Sequence, residues 1–390
     1  MADIKISIFG VVTLLIGVSI ILFSPFITTI LVLVLCVCIM FLNLFVRPKN
    51  LYVLTVPISI ILIISNHLLY AKRAIGRVKF DDLIGNYSDF LRIREAGFDG
   101  LLADISQFRL DFGLSFIHYL LRDISLSERD LLYVYQWIQI GLLLLVIYMM
   151  KIKLSKINKH GILLPLIVLL TPDFNSTQFS RQLISLYIVV LLYFTSARLI
   201  TRFALPSFLH FSSSGVVIIL TLLERKAFYI KTLIALIFLV ILWRFIEYKI
   251  PTLITVYGTL QLFTAESSGV DFKKTILIMA IFSISLIHFK RHMRTILIMS
   301  TCIAFTALIQ YFIPTYGLRV IQLMAILFVL IAFEKSLFQE STSRLIMLVS
   351  ALLAVLNSFP NIWNSYYDAG NIFFLADYCA MFELWCLLET

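Results

Sequence analysis

The stretch Gln178–Tyr193, QFSRQLISLYIVVLLY, places an arginine at the start of an otherwise apolar, helix-forming run. A guanidinium near hydrocarbon costs several kcal/mol, so Arg181 requires a partner or a function. The stretch Pro314–Leu323, PTYGLRVIQL, repeats this arrangement with Arg319. Two arginines at the ends of two apolar helices predict an anion-binding site at the edge of a membrane.

The composition of the 390-residue chain predicts a membrane protein. Hydrophobic residues make up 61% and charged residues 14%, and the mean hydropathy is +1.00, which is not typical of a soluble protein. Apolar runs of roughly 17–22 residues recur, each long enough to cross a hydrocarbon core of ~30 Å. We therefore predict an all-α polytopic membrane protein with roughly 11–12 transmembrane helices, forming a single integral membrane domain over residues 1–390. The predicted spans are Ile6–Phe23, Phe26–Phe45, Leu51–Tyr70, Leu131–Met150, Gly161–Thr171, Phe179–Ala197, Tyr229–Tyr248, Thr275–Phe289, Thr295–Phe312, Gly317–Phe333, Arg344–Leu356 and Asn371–Leu388.

The positions of lysine and arginine predict which loops face the cytoplasm. The net charge of +10 is concentrated in short loops, where the positive-inside bias operates, and it indicates no nucleic-acid partner. The bias places the long polar stretch Ala71–Asp130 outside, as a loop with one short amphipathic piece, Phe112–Leu121. It also requires Phe203–Leu223 to be a re-entrant pair of half-helices, broken at Phe211–Gly215. Both arginines then lie at the outer side.

The two arginines have polar neighbours at helical spacing. Gln178, Arg181 and Ser185 are three and four residues apart, so they share one helix face. Arg319 and Gln322 share a face at a spacing of three. The planar donor fork of arginine matches phosphate oxygens, and glutamine adds neutral donors. The alternative is that each arginine extends to the membrane interface or pairs with a loop carboxylate.

One histidine and two carboxylates are candidates for acid–base chemistry. His210 precedes three serines and a glycine, and is either a general base or a histidine bonded to a carbonyl that the helix break exposes. Asp89 and Asp111 are candidate catalytic carboxylates, with ion pairing to nearby arginines as the alternative. Tyr366, in an outer aromatic segment Asn357–Tyr367, either stacks on a sugar or belongs to an interfacial aromatic belt. The scattered histidines and cysteines predict no metal site and no cofactor.

Four short segments, over roughly residues 80–225, resemble bacterial polysaccharide polymerases of the Wzy/EpsG group. Asn86–Phe90 (NYSDF) resembles the family's aspartate-aromatic motif. Asp111–Ile117 (DFGLSFI) resembles its acidic-x-Gly-aromatic segment, with aspartate where glutamate is commoner. Asn175–Ser185 (NSTQFSRQLIS) resembles its Arg-Gln helix start, with serine where alanine is usual at the last position. Phe208–Ser212 (FLHFS) resembles its His-aromatic-Ser segment, and Arg319 matches a later arginine.

The resemblance implies a GT-C-like polymerase/ligase architecture and a glycosyltransferase activity. Such an enzyme transfers the growing glycan from undecaprenyl diphosphate to the next lipid-linked oligosaccharide repeat unit, at the periplasmic face of the bacterial inner membrane. Its implied partners are that lipid-linked oligosaccharide, membrane lipids, a chain-length regulator and a flippase. The residues expected to bind diphosphate or glycan are Arg181, Gln182, Gln178, Arg319, Gln322, Ser212 and Tyr366, beside the catalytic candidates His210, Asp89 and Asp111.

Two alternatives stay open at this point. An O-antigen ligase would use a similar arginine-lined outer cavity with a different acceptor. A flippase or transporter of polyprenyl-linked sugars would use the charges to line a path, and it would favour repeated halves with matching broken helices. The sequence has one broken segment and no visible repeat.

Overall fold

The computed structural model describes residues 25–45, 52–71, 82–106, 113–154, 159–172, 180–223, 271–312 and 314–368. Within these ranges every regular element is a helix, which confirms the all-α prediction for the described part of the chain. Two of the helices, over Glu128–Lys153 and Phe289–Tyr311, are long and apolar enough to cross a membrane. The predicted spans Ile6–Phe23, Tyr229–Tyr248 and Asn371–Leu388 lie outside the described residues.

The chain divides into two compact units. The first consists of Met1–Ser180 together with Phe338–Thr390, and the second of Arg181–Leu337. The prediction of one membrane domain stays a prediction. The helices of the first unit are α1 Pro25–Phe45, α2 Tyr52–Ala71, α3 Asp82–Ser106, α4 Gly113–Leu121, α5 Glu128–Lys153, α6 Lys159–Leu170 and α13 Ser341–Asp368. Those of the second are α7 Ser180–Phe194, α8 Leu199–Leu209, α9 Ser214–Leu223, α10 Phe272–Ile287, α11 Phe289–Phe312 and α12 Pro314–Glu334, with Ser180 of α7 at the boundary.

Most of the predicted apolar runs are helices in the structure. Helices α1 and α2 begin and end within one residue of the predicted runs, because each run is a continuous apolar segment bounded by polar or turn residues. Helix α5 extends beyond its predicted run at both ends. Its start is fixed by Ser127, whose hydroxyl accepts from the Asp130 amide while the Asp130 carboxylate accepts from the Ser127 amide.

The polar stretch Ala71–Asp130, predicted to be an outer loop with one short amphipathic piece, has more regular structure than expected, since α3 and α4 fill most of its described part. Its outer location stays a prediction. The short amphipathic piece is confirmed as α4. Helix α3 was missed because its many charges obscured a helical face on which Asn86, Phe90 and Ile93 are buried. Charged residues line the other side of the helix, so the pattern is amphipathic rather than uniformly polar.

A glycine bends α3 and an arginine holds the bend. Gly97 has a φ of +59°, a left-handed conformation that side chains disfavour. Across this kink, Arg92 donates from Nη1 to the Gly100 carbonyl at 3.2 Å and from Nη2 to Asp104 at 2.6 Å. Asp104 is buried and also accepts from Ser115 of α4 at 2.5 Å. The ion pair therefore joins the two halves of α3 to α4.

The core that α3 and α4 share with α2 and α5 is apolar and aromatic. Its buried residues are Ala71, Phe90, Leu114, Leu131, Leu132 and Tyr135. Tyr135 Oη lies 2.5 Å from His118 Nε2, which gives both buried polar groups a partner. The polar stretch is thus packed onto the helices on either side of it in the sequence.

The last helix of the first unit is longer than predicted. The run Arg344–Leu356 was expected to end before an outer aromatic segment, but α13 continues to Asp368 and contains Tyr366. The segment has no glycine before Gly370, and an internal proline kinks a helix without always ending it. The predicted aromatic segment Asn357–Tyr367 is therefore a continuation of α13, and its outer location stays a prediction.

Helix α12 forms the centre of the second unit. It packs against α9, α10 and α11, and its stretch Ala325–Ala332 is buried throughout. A helix that is apolar on all sides requires such surroundings. Near its start, Gly317 faces Gln310 of α11 so closely that a side chain at this position would have to displace the glutamine.

Within the first unit, α6 and α13 approach closely at a glycine. A Cβ added at Gly161 would lie 2.6 Å from Cγ and Cδ of Arg344. We expect Gly161→Ala to destabilise the protein by about 1–3 kcal/mol, because the arginine stem must move within a packed interface. Thermal unfolding of the purified chain measures this effect.

The matched control is Gly141→Ala on the exposed side of α5, where no atom lies within 4 Å of the added methyl group. This change should stabilise the helix by about 0.5–1 kcal/mol, because alanine favours helix over glycine. Equal unfolding temperatures for the two variants would contradict the close α6–α13 contact.

Candidate anion-binding site

The first element of the site is the start of α7. Arg181 occupies the first turn and is half-buried, whereas the next residue, Gln182, is buried with 1% of its surface exposed. From Leu183 onward the helix is almost wholly apolar, and it is well buried as far as Val190. The first turn therefore presents a guanidinium beside a glutamine that points into the unit. Gln178, predicted to share this face, lies outside the described residues.

Gln182 connects this turn to the second arginine. Its Nε2 donates to the backbone carbonyl of Arg319 at 2.6 Å, across 137 residues of sequence. The Oε1 atom of Gln182 is buried and has no hydrogen-bond partner among the described residues. The bond places the backbone of Arg319 next to the turn of α7 that carries Arg181, so the two turns are in contact. From the sequence, the two arginines are predicted only to share a membrane depth.

Ser185, one turn further along α7, contacts the helix break. Its hydroxyl donates to the Pro206 carbonyl at 2.8 Å and lies 2.6 Å from Ser213 Oγ. Ser213 Oγ in turn donates to the His210 carbonyl at 2.7 Å. Ser185 is fully buried, so these contacts are shielded from water. They position the backbone of the break against the helix that carries Arg181.

The break itself lies where the sequence predicts it. Helix α8 ends at Leu209, His210 is extended with φ −159° and ψ 113°, and one 3₁₀ turn, Phe211–Ser213, leads into α9. Ser207 and Ser214 are seven positions apart in the sequence, yet their hydroxyl groups are hydrogen-bonded across the break at 2.5 Å, so the chain bends sharply here. Serine side chains favour such ends because they bond nearby backbone groups in place of the helix.

His210 has a local hydroxyl partner at this bend. Its Nδ1 lies 2.5 Å from Ser212 Oγ, and the imidazole is half-buried. When Nδ1 carries the proton it donates to Ser212, and Nε2 is then the acceptor of the ring. In this tautomer the histidine has the form that a general base requires. Its main-chain amide donates to the Pro206 carbonyl at 2.9 Å, which holds the residue in place.

The second arginine lies on the central helix of the unit. Arg319 is half-buried near the start of α12, and Gln322, one turn later, is buried. Gly317 precedes them and allows α11 to approach this turn closely. Among the predicted residues, direct contacts therefore form two pairs in the second unit, Gln182 with the Arg319 carbonyl and His210 with Ser212. Ser185 connects the helix of the first pair to the break that carries the second.

Asp89 belongs to a different set of contacts, in the first unit. Its carboxylate lies 3.4 Å from Arg92 Nη2, the same nitrogen that binds Asp104 at 2.6 Å. This agrees with the structural alternative of an ion pair within α3. Asp111 lies outside the described residues, and of Tyr366 only its helical backbone is described.

Some residues of the site were missed from the sequence. Ser213 and the Pro206 carbonyl, which connect the break to α7, were not among the predicted site residues. The run of three serines predicts a helix break, but nothing in the sequence indicates which serine contacts another helix. Among the residues that the structure describes, no three His, Cys, Asp or Glu side chains come together as metal ligands.

Comparisons with known proteins leave the family open. No family model, no curated protein and no solved structure matches the chain. The resemblance to polysaccharide polymerases therefore rests on the four sequence segments and stays a prediction.

The contacts of Ser185 predict its effect on stability. Replacing it by alanine removes the donor to Pro206 and leaves Ser213 with one partner fewer in a buried place. We expect Ser185→Ala to lower the free energy of unfolding by about 1 kcal/mol. Thermal unfolding of the purified chain tests this.

Thr195 at the other end of α7 supplies the control. It is exposed, and its hydroxyl bonds only carbonyls of its own helix, at 2.9 and 3.3 Å. Thr195→Ala should therefore change the free energy of unfolding by less than about 0.5 kcal/mol. If Ser185→Ala is as mild as this control, the bond between α7 and the break does not stabilise the unit.

Proposed function

We propose that this protein is a polytopic membrane glycosyltransferase that polymerises lipid-linked oligosaccharides. It transfers the growing glycan from undecaprenyl diphosphate to the next lipid-linked repeat unit at the periplasmic face of the bacterial inner membrane. The observation that carries the proposal is the bond from Gln182 Nε2 to the Arg319 carbonyl. It supports one site with two arginines, as a diphosphate leaving group requires.

Glycosyl transfer requires that the negative charge developing on the diphosphate leaving group be stabilised. As the bond between the anomeric carbon and the diphosphate oxygen breaks, the electron pair moves to that oxygen. Arg181 and Arg319 are permanently charged and held by half-buried helix turns, so they stabilise the diphosphate without rearranging during the reaction. Such fixed donors act more strongly on the transition state than on the bound substrate.

The attacking group is a sugar hydroxyl of the acceptor, whose proton must be removed. The proposal assigns this step to His210, because Ser185 and Ser213 hold its backbone against the helix of Arg181. The acceptor oxygen bonds to the anomeric carbon, and the proton moves to the imidazole. Asp89 is the weaker candidate because it is paired with Arg92 within α3. Asp111 is retained on the sequence resemblance alone.

The membrane setting of the proposal rests on composition and on the two long apolar helices. In a membrane, the helix break at His210–Ser213 would place polar groups inside an apolar segment, and such breaks are typical of substrate sites in membrane proteins. A GT-C-like arrangement, membrane lipids, a flippase and a chain-length regulator belong to the proposal through the sequence resemblance, and no metal or cofactor is assigned.

Substituting either arginine tests the diphosphate role. We expect Arg181→Ala and Arg319→Ala each to reduce chain elongation by about 100-fold or more, because removing one transition-state donor has an effect of this size. Arg181→Lys should recover little activity, since a point charge lacks the paired donors of the guanidinium. The measurement is the length ladder of glycan in cells that depend on this chain.

The control is Arg198→Ala, which removes an exposed cation at the start of α8. Its ladders should match those of the unchanged protein at equal membrane abundance. Full-length ladders from Arg181→Ala or Arg319→Ala would overturn the diphosphate role. In a strain lacking the chain, single-repeat glycan on the final acceptor indicates a polymerase. Lipid-free glycan would instead indicate a ligase, and repeat units retained on the cytoplasmic side a flippase.

The proposed orientation makes a separate prediction about accessibility. In a background with all five cysteines replaced by alanine, a cysteine at Asp123 should react with a membrane-impermeant thiol reagent applied to the periplasmic side. Asp123 has 83% of its side chain exposed and precedes α5 on the side proposed to be outer. A cysteine at Arg294, also exposed, should react only after the membrane is permeabilised. The reverse labelling pattern would overturn the orientation.

A further inference from the structure

A short basic turn joins α10 to α11 in the second unit and has no part in the site described above. Residues His288–Arg294 read HFKRHMR. The turn is closed by the His288 amide donating to Ser285 and by the Arg291 amide donating to the His288 carbonyl, at 3.2 and 3.0 Å. A kink at His292, with φ −118° and ψ 18°, separates the turn from the rest of α11. We call residues 288–294 the basic turn.

The basic turn carries three exposed cations, Lys290, Arg291 and Arg294, and neither α10 nor α11 contains an aspartate or glutamate. The contact of Gly317 with Gln310 makes α11 and α12 antiparallel neighbours, so the end of α12 lies toward the same end of the hairpin. Glu334, the last residue of α12, binds Lys335 at 2.7 Å and accepts from Tyr193 at 3.0 Å.

Apolar side chains stand exposed beside these cations. Phe289, Met293 and Leu297 are 50%, 63% and 68% exposed. Met293 and Leu297 follow the kink and are four residues apart, which places them along one side of α11. Lys290 and Arg294 alternate with these apolar residues in the sequence. A surface that combines an apolar strip with cations at the end of a candidate membrane-crossing helix is complementary to an anionic amphiphile.

We propose that the basic turn binds the phosphate groups of anionic phospholipids, with Phe289, Met293 and Leu297 in contact with the acyl chains. The proposal rests on the membrane location proposed above and is independent of glycosyl transfer. A free phosphate would satisfy the cations but not the apolar strip. Each basic residue near an anionic membrane surface strengthens binding about fivefold, so the three together contribute roughly 100-fold.

The test compares lipid binding by the full-length chain and two variants in a non-ionic detergent. Native mass spectrometry measures bound phosphatidylglycerol, with phosphatidylcholine as the neutral lipid. The first variant is Lys290→Gln with Arg291→Gln and Arg294→Gln. The control variant removes three exposed cations elsewhere: Arg94→Gln, Lys153→Gln and Arg198→Gln.

We expect the unchanged chain and the control variant to bind phosphatidylglycerol in preference to phosphatidylcholine, within about twofold of each other. The basic-turn variant should lose at least about 10-fold of that preference. Equal loss in both triple variants would overturn the proposal, because it would indicate a response to net charge. Displacement of phosphatidylglycerol by excess inorganic phosphate would also overturn it, since the acyl chains would then contribute nothing.

Three further measurements make the result independent of folding, of the proposed enzyme activity and of the proposed membrane location. If the triple variant does not elute as a single species, Arg294→Gln alone replaces it, with an expected several-fold loss; an unchanged preference overturns the proposal. Arg181→Ala should keep the full lipid preference although it abolishes glycan elongation. Recovery of the chain in the membrane fraction, resistant to alkaline extraction, tests the membrane location by itself.

Discussion

The hydrogen bond from Gln182 Nε2 to the Arg319 carbonyl is the contact on which the candidate site depends. It satisfies a backbone acceptor and a buried amide donor at once, and both would be costly if left alone in apolar surroundings. The bond is made by the residue that follows Arg181 and is received by the backbone of Arg319, so the contact between the helices joins the two turns that carry the arginines. Packing and site geometry thus have a common cause.

The fold could be predicted from sequence where hydrophobicity alone determines an element. Helices α1 and α2 are continuous apolar runs, and their limits follow from the residues on either side. Helix α3 could not be found in this way, because its buried face includes Asn86 and Asp104 and its kink depends on Gly97. Asp104 accepts hydrogen bonds from Arg92 and from Ser115, and such a partnership between separate segments has no signature in a single sequence.

The site was predictable in its parts and less so in its connections. A guanidinium in an apolar helix has a high free-energy cost, which identifies Arg181 and Arg319 as candidate site residues. The serine run predicts the helix break beside His210. The partner of each anchoring side chain is a matter of tertiary structure. Gln182 is predicted to bind substrate, and the structure adds a bond from its Nε2 to the Arg319 carbonyl; Ser213, which is outside the predicted set, contacts Ser185. Asp89 has a clear partner in Arg92, which only the fold of α3 brings within reach.

In the first turns of α7, the residues that anchor the helix are different from the residue that carries the charge. Gln182 and Ser185 are three apart, share the buried side of the helix, and anchor it to α12 and to the break. Arg181 is offset from them and half-buried. A buried guanidinium without a ligand would be too costly to keep, and a fully exposed one would bind phosphate weakly in water. Two neutral anchors beside one half-buried cation meet both conditions, since the neutral bonds to α12 and to the break fix the helix next to the guanidinium.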